Sequence, residues 1–449
     1  HRSLREVLSW SYELLSPEAR LLLARLSVFA GGFTATHVEE MWPGERPLDV
    51  LVAFEELERH SLLASTPSAR EPRFRLLDTI REFALERLRE SGLELECGRQ
   101  LVEWVRQQVS RTGGRVGAGA RQFDEIESEA DNARWAMNWV VDEGTPEDAA
   151  ELSNRLYVWW MSMGRRTEIS RWLETIVLLS PISDQAMGMS LLNLARAEAQ
   201  LSQHSLSIQH LKAAVPLLER TSEVSYCEAL LTLAENESLY GEISRAETSL
   251  NRVASLLTIS DDEALRCRHS LSTMFVLMNA SRFEAAEQVA KTVLQSPIAS
   301  TWTDARLLAL ATASEAQRFQ GLFHEALRTA TFARSEALAA KSRPLVEFAS
   351  SQLAATYSLL GDREGTRIFA LDALMATDSL ERDPQAVYRL ALAVLESASS
   401  PEDSTEVRIS EELASAFEGS FDAPALMRRE QVAFGRAATG RRGRGEVSL

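Results

Sequence analysis

The chain has 449 residues, with 48 Lys and Arg against 65 Asp and Glu, a net charge of −17, and 45% hydrophobic residues. The length suits two or three domains, and the acidic balance excludes bulk binding to nucleic acid or to an anionic membrane, which basic residues drive. Three distant cysteines, Cys97, Cys227 and Cys267, form no C-x-x-C pair and read as reduced, partly buried thiols of a cytoplasmic protein. No apolar run approaches the ~20 residues that span a bilayer.

The chain begins His1-Arg2-Ser3, with neither Met nor a signal peptide, and is read as a fragment whose N-terminal part is missing. Residues 3–15 place Leu4, Val7, Leu8, Ser11 and Leu14 on one helical face. Ser16-Pro17-Glu18 restarts a helix, with Ser as N-cap and Pro at N1. Leu22, Leu23, Leu26 and Phe29 form its apolar face, and Gly31-Gly32 is expected to end it. Thr34 caps a short helix through Trp42, and Pro47–His60 is a fourth helix with Leu48, Leu51, Val52, Phe54 and Leu57 expected inside. Leu62–Ser65 and Phe74–Leu77 flank a turn at Pro67 and predict a hairpin. Asp78 then stands where an N-cap belongs, ahead of Ile80, Phe83, Ala84 and Leu88 at helical spacing. Helices followed by a hairpin are the ingredients of a winged helix.

Residues 93–112 read as a helix carrying Leu95, Leu101, Val102, Trp104 and Val105, and Gly113 to Gly119 as a flexible loop. From Asp124 the reading is helix after helix. Trp135, Trp139, Trp159, Trp160 and Trp172 sit at helical spacings that favour core over an aromatic cage. Turn positions recur at Gly164, Gln203, Gly241, Ser281, Gly321 and Gly361, close to forty apart. Ala246, Ala286, Ala326 and Thr366 hold the same register, followed by Leu250, Ala290, Ala330 and Ala370 and by Val253, Val293, Ala333 and Ala373. Small residues at fixed register let helices approach closely, so each unit is read as one helical hairpin. The fold class is therefore mostly α, a winged-helix domain with a small β-hairpin followed by an α-solenoid of tetratricopeptide-like helical hairpins. The expected boundaries are 1–91 for the winged helix, 92–147 for a helical connector, 148–420 for the array and 421–449 for a basic, disordered tail.

Four stretches together resemble the winged-helix region of NB-ARC-type (STAND) signalling ATPases of bacterial transcriptional regulators. They are Arg2–Glu18, Leu26-Ser27-Val28-Phe29-Ala30-Gly31-Gly32-Phe33, Phe74–Ala84, and Asp124-Glu125-Ile126-Glu127 with Asp131-Asn132. The later repeats look like the forty-residue tetratricopeptide repeats found behind such ATPases. The resemblance implies an ATP/ADP-switched parent, closed when its winged helix packs on the nucleotide site and opened, with oligomerisation, when an inducer or partner binds the array. It further implies an N-terminal nucleotide-binding domain in that parent. This chain holds no G-x-x-x-x-G-K-[ST] loop, and no lysine precedes Lys212, so no cofactor is expected in the chain itself. Relatives place Met-His-Asp at the strand-to-helix joint. Here Leu76-Leu77-Asp78 stands in its place, which transfers the joint to Leu77 and Asp78 without the histidine.

Residues 47–60 carry Asp49, Glu55, Glu56 and Glu58 against Arg59, so the helix that would enter a DNA groove repels phosphate, and no direct DNA binding is expected. No nucleophile elbow or H-E-x-x-H motif occurs, and His37, His60, His204, His210, His269 and His324 are scattered, which argues against an enzyme or a metal site. The array is the expected binding surface for a protein, peptide or small-molecule inducer. Counting back from the alanine register puts Glu228, Glu235, Arg268, Phe275, Glu315 and Arg318 on its groove face, against the alternative of a solvated helix face. The function expected is the sensor half of a nucleotide-switched regulator. The alternative is a free-standing tetratricopeptide-repeat interaction scaffold.

Overall fold

The computed structural model describes residues 2–44, 47–66, 71–111, 127–258, 262–340 and 342–376. The turn at Pro67, the loop at Gly113–Gly119, Asp124-Glu125-Ile126, and the expected last unit and basic tail beyond residue 376 lie outside them. Twenty helices and one two-stranded sheet make up these residues. Contacts divide the chain into two units, one of residues 1–159 with 179–182 and one of residues 160–178 with 183 onward.

The first unit opens with α1 (Arg2–Glu13), α2 (Pro17–Leu26), α3 (Ala35–Met41) and α4 (Pro47–Arg59). Ser16 caps α2 as expected: its Oγ accepts the Ala19 N–H at 3.2 Å, with Pro17 at N1. The same serine donates its N–H and Oγ–H to Glu56 of α4, each at 2.7 Å. Thr34 caps α3, and His37 completes the box by accepting the Thr34 N–H on Nδ1. Strands β1 (Ala64–Thr66) and β2 (Arg73–Arg75) pair antiparallel, Ser65 opposite Phe74, and Phe33 bridges to Phe74 from the other side. Then follow α5 (Asp78–Ser91), α6 (Glu94–Arg111), α7 (Ala130–Glu143) and α8 (Pro146–Ser162).

Several expectations shift here. Helix α2 ends at Leu26, five residues before Gly31, so the glycine pair does not cap it. Gly32 instead takes φ +94° beside β2, where an added Cβ would stand 2.8 Å from the Phe74 carbonyl oxygen. Helix α4 buries Val50, Ala53, Phe54 and Leu57 and leaves Leu48, Leu51 and Val52 71%, 47% and 57% exposed. The buried positions follow the i, i+3, i+4, i+7 stripe, and the aromatic core of Phe33 and Phe74, 5.8 and 4.6 Å from the Phe54 ring, fixes its phase. Val7, Leu14 and Leu95 are likewise exposed.

The second unit runs through α9 (Arg166–Ile176), α10 (Asp184–Gln200), α11 (His204–Thr221), α12 (Glu223–Leu239), α13 (Ile243–Leu257), α14 (Glu263–Asn279), α15 (Phe283–Gln295), α16 (Ile298–Thr301), α17 (Thr303–Phe319), α18 (Phe323–Ala339), α19 (Arg343–Leu360) and α20 (Arg363–Ala376). Gly164, Ser202, Gly241, Ser281, Gly321 and Gly361 all take φ between +58° and +83°. Each closes the helix before it with the same pair of bonds. At Gly241 its own N–H donates to the Ser238 carbonyl at 3.1 Å and the next N–H, of Glu242, to the Glu237 carbonyl at 3.0 Å, a Schellman motif. In the second unit of the series the left-handed residue is Ser202, not Gln203. Gln203 supplies the outer bond, to Glu198 at 2.8 Å. The alanine register is core throughout: Ala246, Ala286, Ala326, Ala290, Ala330 and Ala370 are fully buried. Trp160 is also core, its ring 5.0 Å from Trp172.

Candidate functional site

At the strand-to-helix joint, α5 begins at Asp78, and its N-cap is Leu77, in extended backbone, with no side-chain hydrogen bond. The expected Asp78 cap is therefore not formed. Asp78 is one residue too far along the chain for its carboxylate to turn back on the first-turn amides, and it stands exposed at N1, where it opposes the helix dipole. Leu77 is 49% exposed. The residue that anchors the joint is Arg81, which sequence reading passed over. Its Nε donates to the Ser27 carbonyl at 2.9 Å, while its Nη2 is buried with no hydrogen-bond partner among the described residues. Burial draws this guanidinium below its ordinary value, against the opposing charge of Asp78.

A second polar cluster explains the Asp131-Asn132 signature. Asn132 is fully buried. Its Oδ1 accepts the Gly31 N–H at 2.9 Å, and its Nδ2 donates to the Gly32 carbonyl at 2.9 Å and to Glu129 at 2.7 Å. Glu129 also accepts from Arg73 of β2 at 2.6 Å, and Arg73 reaches the Gly32 carbonyl at 3.1 Å. The start of α7 is thus tied to the glycine turn and the strand beside it. Gly31 is needed for the approach, because a Cβ there would stand 2.9 Å from the Asp131 Cβ. On α3, Glu40 accepts from Trp104 at 2.9 Å and Gln108 at 3.0 Å and pairs with Arg111, which fixes α6.

On the array, the structure brings three of the six expected groove residues into one network. Arg268 of α14 bonds Glu235 of α12 through both guanidinium ends, the Nη2 bond at 3.1 Å, and its Nε lies 3.6 Å from Glu228. Ser272 donates to Glu235 at 2.7 Å. Arg196 of α10, which sequence reading did not select, pairs with Glu228 and donates to Thr232 at 3.3 Å. Burial works against both charges, yet the attraction of the pair holds the Glu235 carboxyl below its ordinary range and keeps the Arg268 guanidinium above its own. These charges are spent on each other across α10, α12 and α14. Glu315 and Arg318 lie apart from them on α17, 3.9 Å from one another, and Phe275 is half-buried on α14. Arg196 could have been found by the signal that found Glu235: each stands six residues before its left-handed turn.

Other polar groups are held locally. His210 meets the buried carboxylate of Glu198 at 2.9 Å, and that hydrogen bond raises its pKa against burial. His204 contacts Asn236 at 3.0 Å, and His269 contacts the Leu250 carbonyl at 3.1 Å. The three cysteines are free and buried, and burial pushes the Cys97 and Cys227 thiols up to about 11. Among the described residues no group of His, Cys, Asp and Glu could hold a metal ion, and no helix is long and apolar enough to cross a membrane.

Residues 15–89, from just after α1 to the last turn of α5, match the family described as a winged helix-turn-helix domain. This stretch is a winged helix-turn-helix domain. A protein of Mycobacterium tuberculosis (strain ATCC 25618 / H37Rv) named as an HTH-type transcriptional regulator is 29% identical over 178 residues, 39% of this chain and 20% of that protein. An uncharacterized protein of the same organism is 34% identical over 94 residues, 20% of this chain and 24% of the relative. The match thus spans about a fifth to a quarter of these curated relatives. Among solved structures, a Signal Transduction ATPase with Numerous Domains (STAND) protein with a tetratricopeptide repeat sensor from Pyrococcus horikoshii aligns with a TM-score of 0.53 at 16% identity, covering 96% of this chain and 63% of that one. At that identity the likeness is one of fold: a winged helix-turn-helix domain followed by tetratricopeptide-like helical repeats.

Proposed function

We propose that this chain is the sensor and regulatory part of a nucleotide-switched signalling or transcriptional regulator. In this reading residues 1–91 are the winged helix, 92–147 a connector and 148–420 a sensor array. The array binds an inducer or partner protein, and the winged helix-turn-helix domain relays that event to an ATP/ADP-binding core elsewhere in the parent polypeptide. The observation that carries the reading is the order of parts, a winged helix-turn-helix domain ahead of forty-residue helical hairpins. It is the order shared in fold with a STAND protein whose repeats are named as its sensor. The relative named as a transcriptional regulator supports the regulatory class.

Helix α4 supports a relay through protein contact over direct DNA reading. Its exposed face offers Leu48, Leu51 and Val52 among Asp49, Glu55 and Glu58, with Arg59 as the one basic residue. Phosphate neutralisation, the main source of DNA affinity, is missing from that face. The test is the parent reading frame and its nucleotide. The parent should carry a phosphate-binding loop, and release of a fluorescent ADP analogue should quicken when the array is deleted or an inducer is added. A parent without such a loop overturns this reading in favour of a free-standing repeat scaffold.

A further inference from the structure

Helix α4 is apolar on two sides. Val50, Ala53, Phe54 and Leu57 are buried in the winged helix-turn-helix core, and Leu48, Leu51 and Val52 stand exposed on the outside. A helix that is apolar all round belongs in an interior, so the outer side lacks its cover. Helix α1 repeats the pattern. It packs inward through Leu8 and through Tyr12, whose ring meets Phe83 edge-on at 5.6 Å. Its outer side carries Val7, Trp10 and Leu14, three and four residues apart, with Trp10 64% exposed. The two stripes converge where Ser16, two residues after Leu14, bonds Glu56, one turn after Val52. Grouped exposed apolar residues mark interaction surfaces, and tryptophan is enriched among binding anchors. The rim of this surface is acidic. Glu13, Glu55 and Glu58 are exposed, and neither Glu55 nor Glu58 forms an ion pair among the described residues.

We infer that this outer face docks a helix of a separate partner protein, one that presents an apolar ridge edged by Lys or Arg. The ridge packs on Trp10, Leu51 and Val52, and the basic edge meets Glu55 and Glu58. This rests on the reading of the winged helix-turn-helix domain as a relay through protein contact, and it names the chemistry of the partner. A helix suits the face, because side chains three and four apart form ridges that seat between ridges of the same spacing. A basic edge suits the rim, because complementary charges fix register and exclude wrong partners. A second copy of this chain suits it poorly, since two-fold docking would bring the same carboxylates together. The parent's nucleotide core is expected at Leu77 and Asp78, at the start of α5, which leaves α1 and α4 to a different protein.

The experiment measures fluorescence anisotropy of two labelled, designed amphipathic helices of about eighteen residues against the whole chain. Both carry the same leucine ridge, edged by Arg in one and by Glu in the other. At about 0.15 M salt, which screens distant surface charge, the Arg-edged helix should bind about tenfold tighter. Glu55→Gln with Glu58→Gln should bring the two helices within about threefold of each other. Leu51→Ser with Val52→Ser, both surface positions, should weaken both helices about tenfold. Glu223→Gln with Glu284→Gln, exposed on the second unit, removes the same charge elsewhere and should leave binding as in the parent chain. The inference is overturned if neither helix binds, if the basic preference survives the loss of Glu55 and Glu58, or if the distant pair of substitutions lowers it equally. Tight binding of a labelled DNA duplex that Arg59→Gln abolishes would make α4 a groove reader and overturn it too. So would a dimer in sedimentation that the two serine substitutions dissolve, which gives the face to a second copy. The nucleotide test of the parent is separate. Faster ADP release on deletion of the array, with no helix bound here, keeps the sensor reading and removes this partner.

Discussion

Serine at 281 holds a backbone conformation that its Cβ resists. Its φ of +58° closes α14 in the same Schellman geometry that glycine provides at 241, 321 and 361. A left-handed residue with a Cβ costs roughly 1–2 kcal/mol, partly offset by the entropy that glycine loses on folding. Ser281→Gly should therefore stabilise the chain by about 0.5–1 kcal/mol, and Gly321→Ala should destabilise it by a similar amount. Urea melts of the two variants check this, and equal midpoints would show that the turn tolerates a side chain freely. Asp78 gives a second residue-scale prediction. As an exposed N1 residue it acts through the helix dipole alone, worth ~0.3–1 kcal/mol at low ionic strength. Asp78→Ala and Asp78→Asn should then lose the same small amount, and the loss should shrink in high salt. An N-cap would behave differently, since Asn caps nearly as well as Asp and Ala does not.

At the scale of elements, two ionisable contacts between helices carry opposite pH signs. The Glu235 carboxyl on α12 faces the guanidinium of Arg268 and the hydroxyl of Ser272 from α14, with Arg196 near from α10, and lies below its ordinary 4.5. Its contribution is present above pH 4.5 and is lost as the pH falls through the lower folded value. The His210 imidazole on α11 faces Glu198 of α10 and Glu174 of α9 and lies above its ordinary 6.5. Its contribution is full below pH 6.5 and is lost as the pH rises through the folded value. Thermal melts should therefore fall off on both sides. His210→Gln should flatten the decline above pH 6.5, and Glu235→Gln the acid decline below 4.5, each at the cost of a lower plateau. A His210→Gln variant as pH-sensitive as the parent would remove the histidine from the account. These contacts were hidden in the sequence because they join residues 12 and 33 apart on different helices. What was legible was local. Ser16 and Thr34 as caps, and the alanine register, each depend on a few neighbouring residues or a fixed repeat. The buried face of α4 is ambiguous in the sequence, because Leu48, Leu51 and Val52 satisfy a helical spacing as well as the buried set does. Only the tertiary position of Phe33 and Phe74 chooses between the two.

For the whole molecule, the repeats impose a nearly one-dimensional order on the second unit. Each hairpin is stabilised by its neighbours, through alanines that admit close approach, and a fault in one contact should spread to adjacent hairpins before it spreads further. The groove residues show why this could not all be read beforehand. The repeat register puts Glu228, Glu235 and Arg268 on one face, but whether they serve a ligand or each other depends on distances that only the packed helices set. Ala286 tests the order directly. It is fully buried on α15, in the core cluster with Cys267, Phe283, Ala290 and Ala309. Ala286→Trp must displace those neighbours, typically at a cost of ~1–3 kcal/mol or more. Native-state hydrogen exchange should show the loss first in the amides of α14, α15 and α17, then in α12, α13 and α18. The helices α2, α4 and α5 of the winged helix-turn-helix domain have a separate aromatic core around Phe29, Phe33 and Phe54, so their protection should stay at the parent level. Thr292→Ala, at an exposed position of the same helix, is the control and should leave every segment unchanged. Uniform loss of protection across α2 to α20 would mean that the chain unfolds as one cooperative body and that the two units are not energetically distinct.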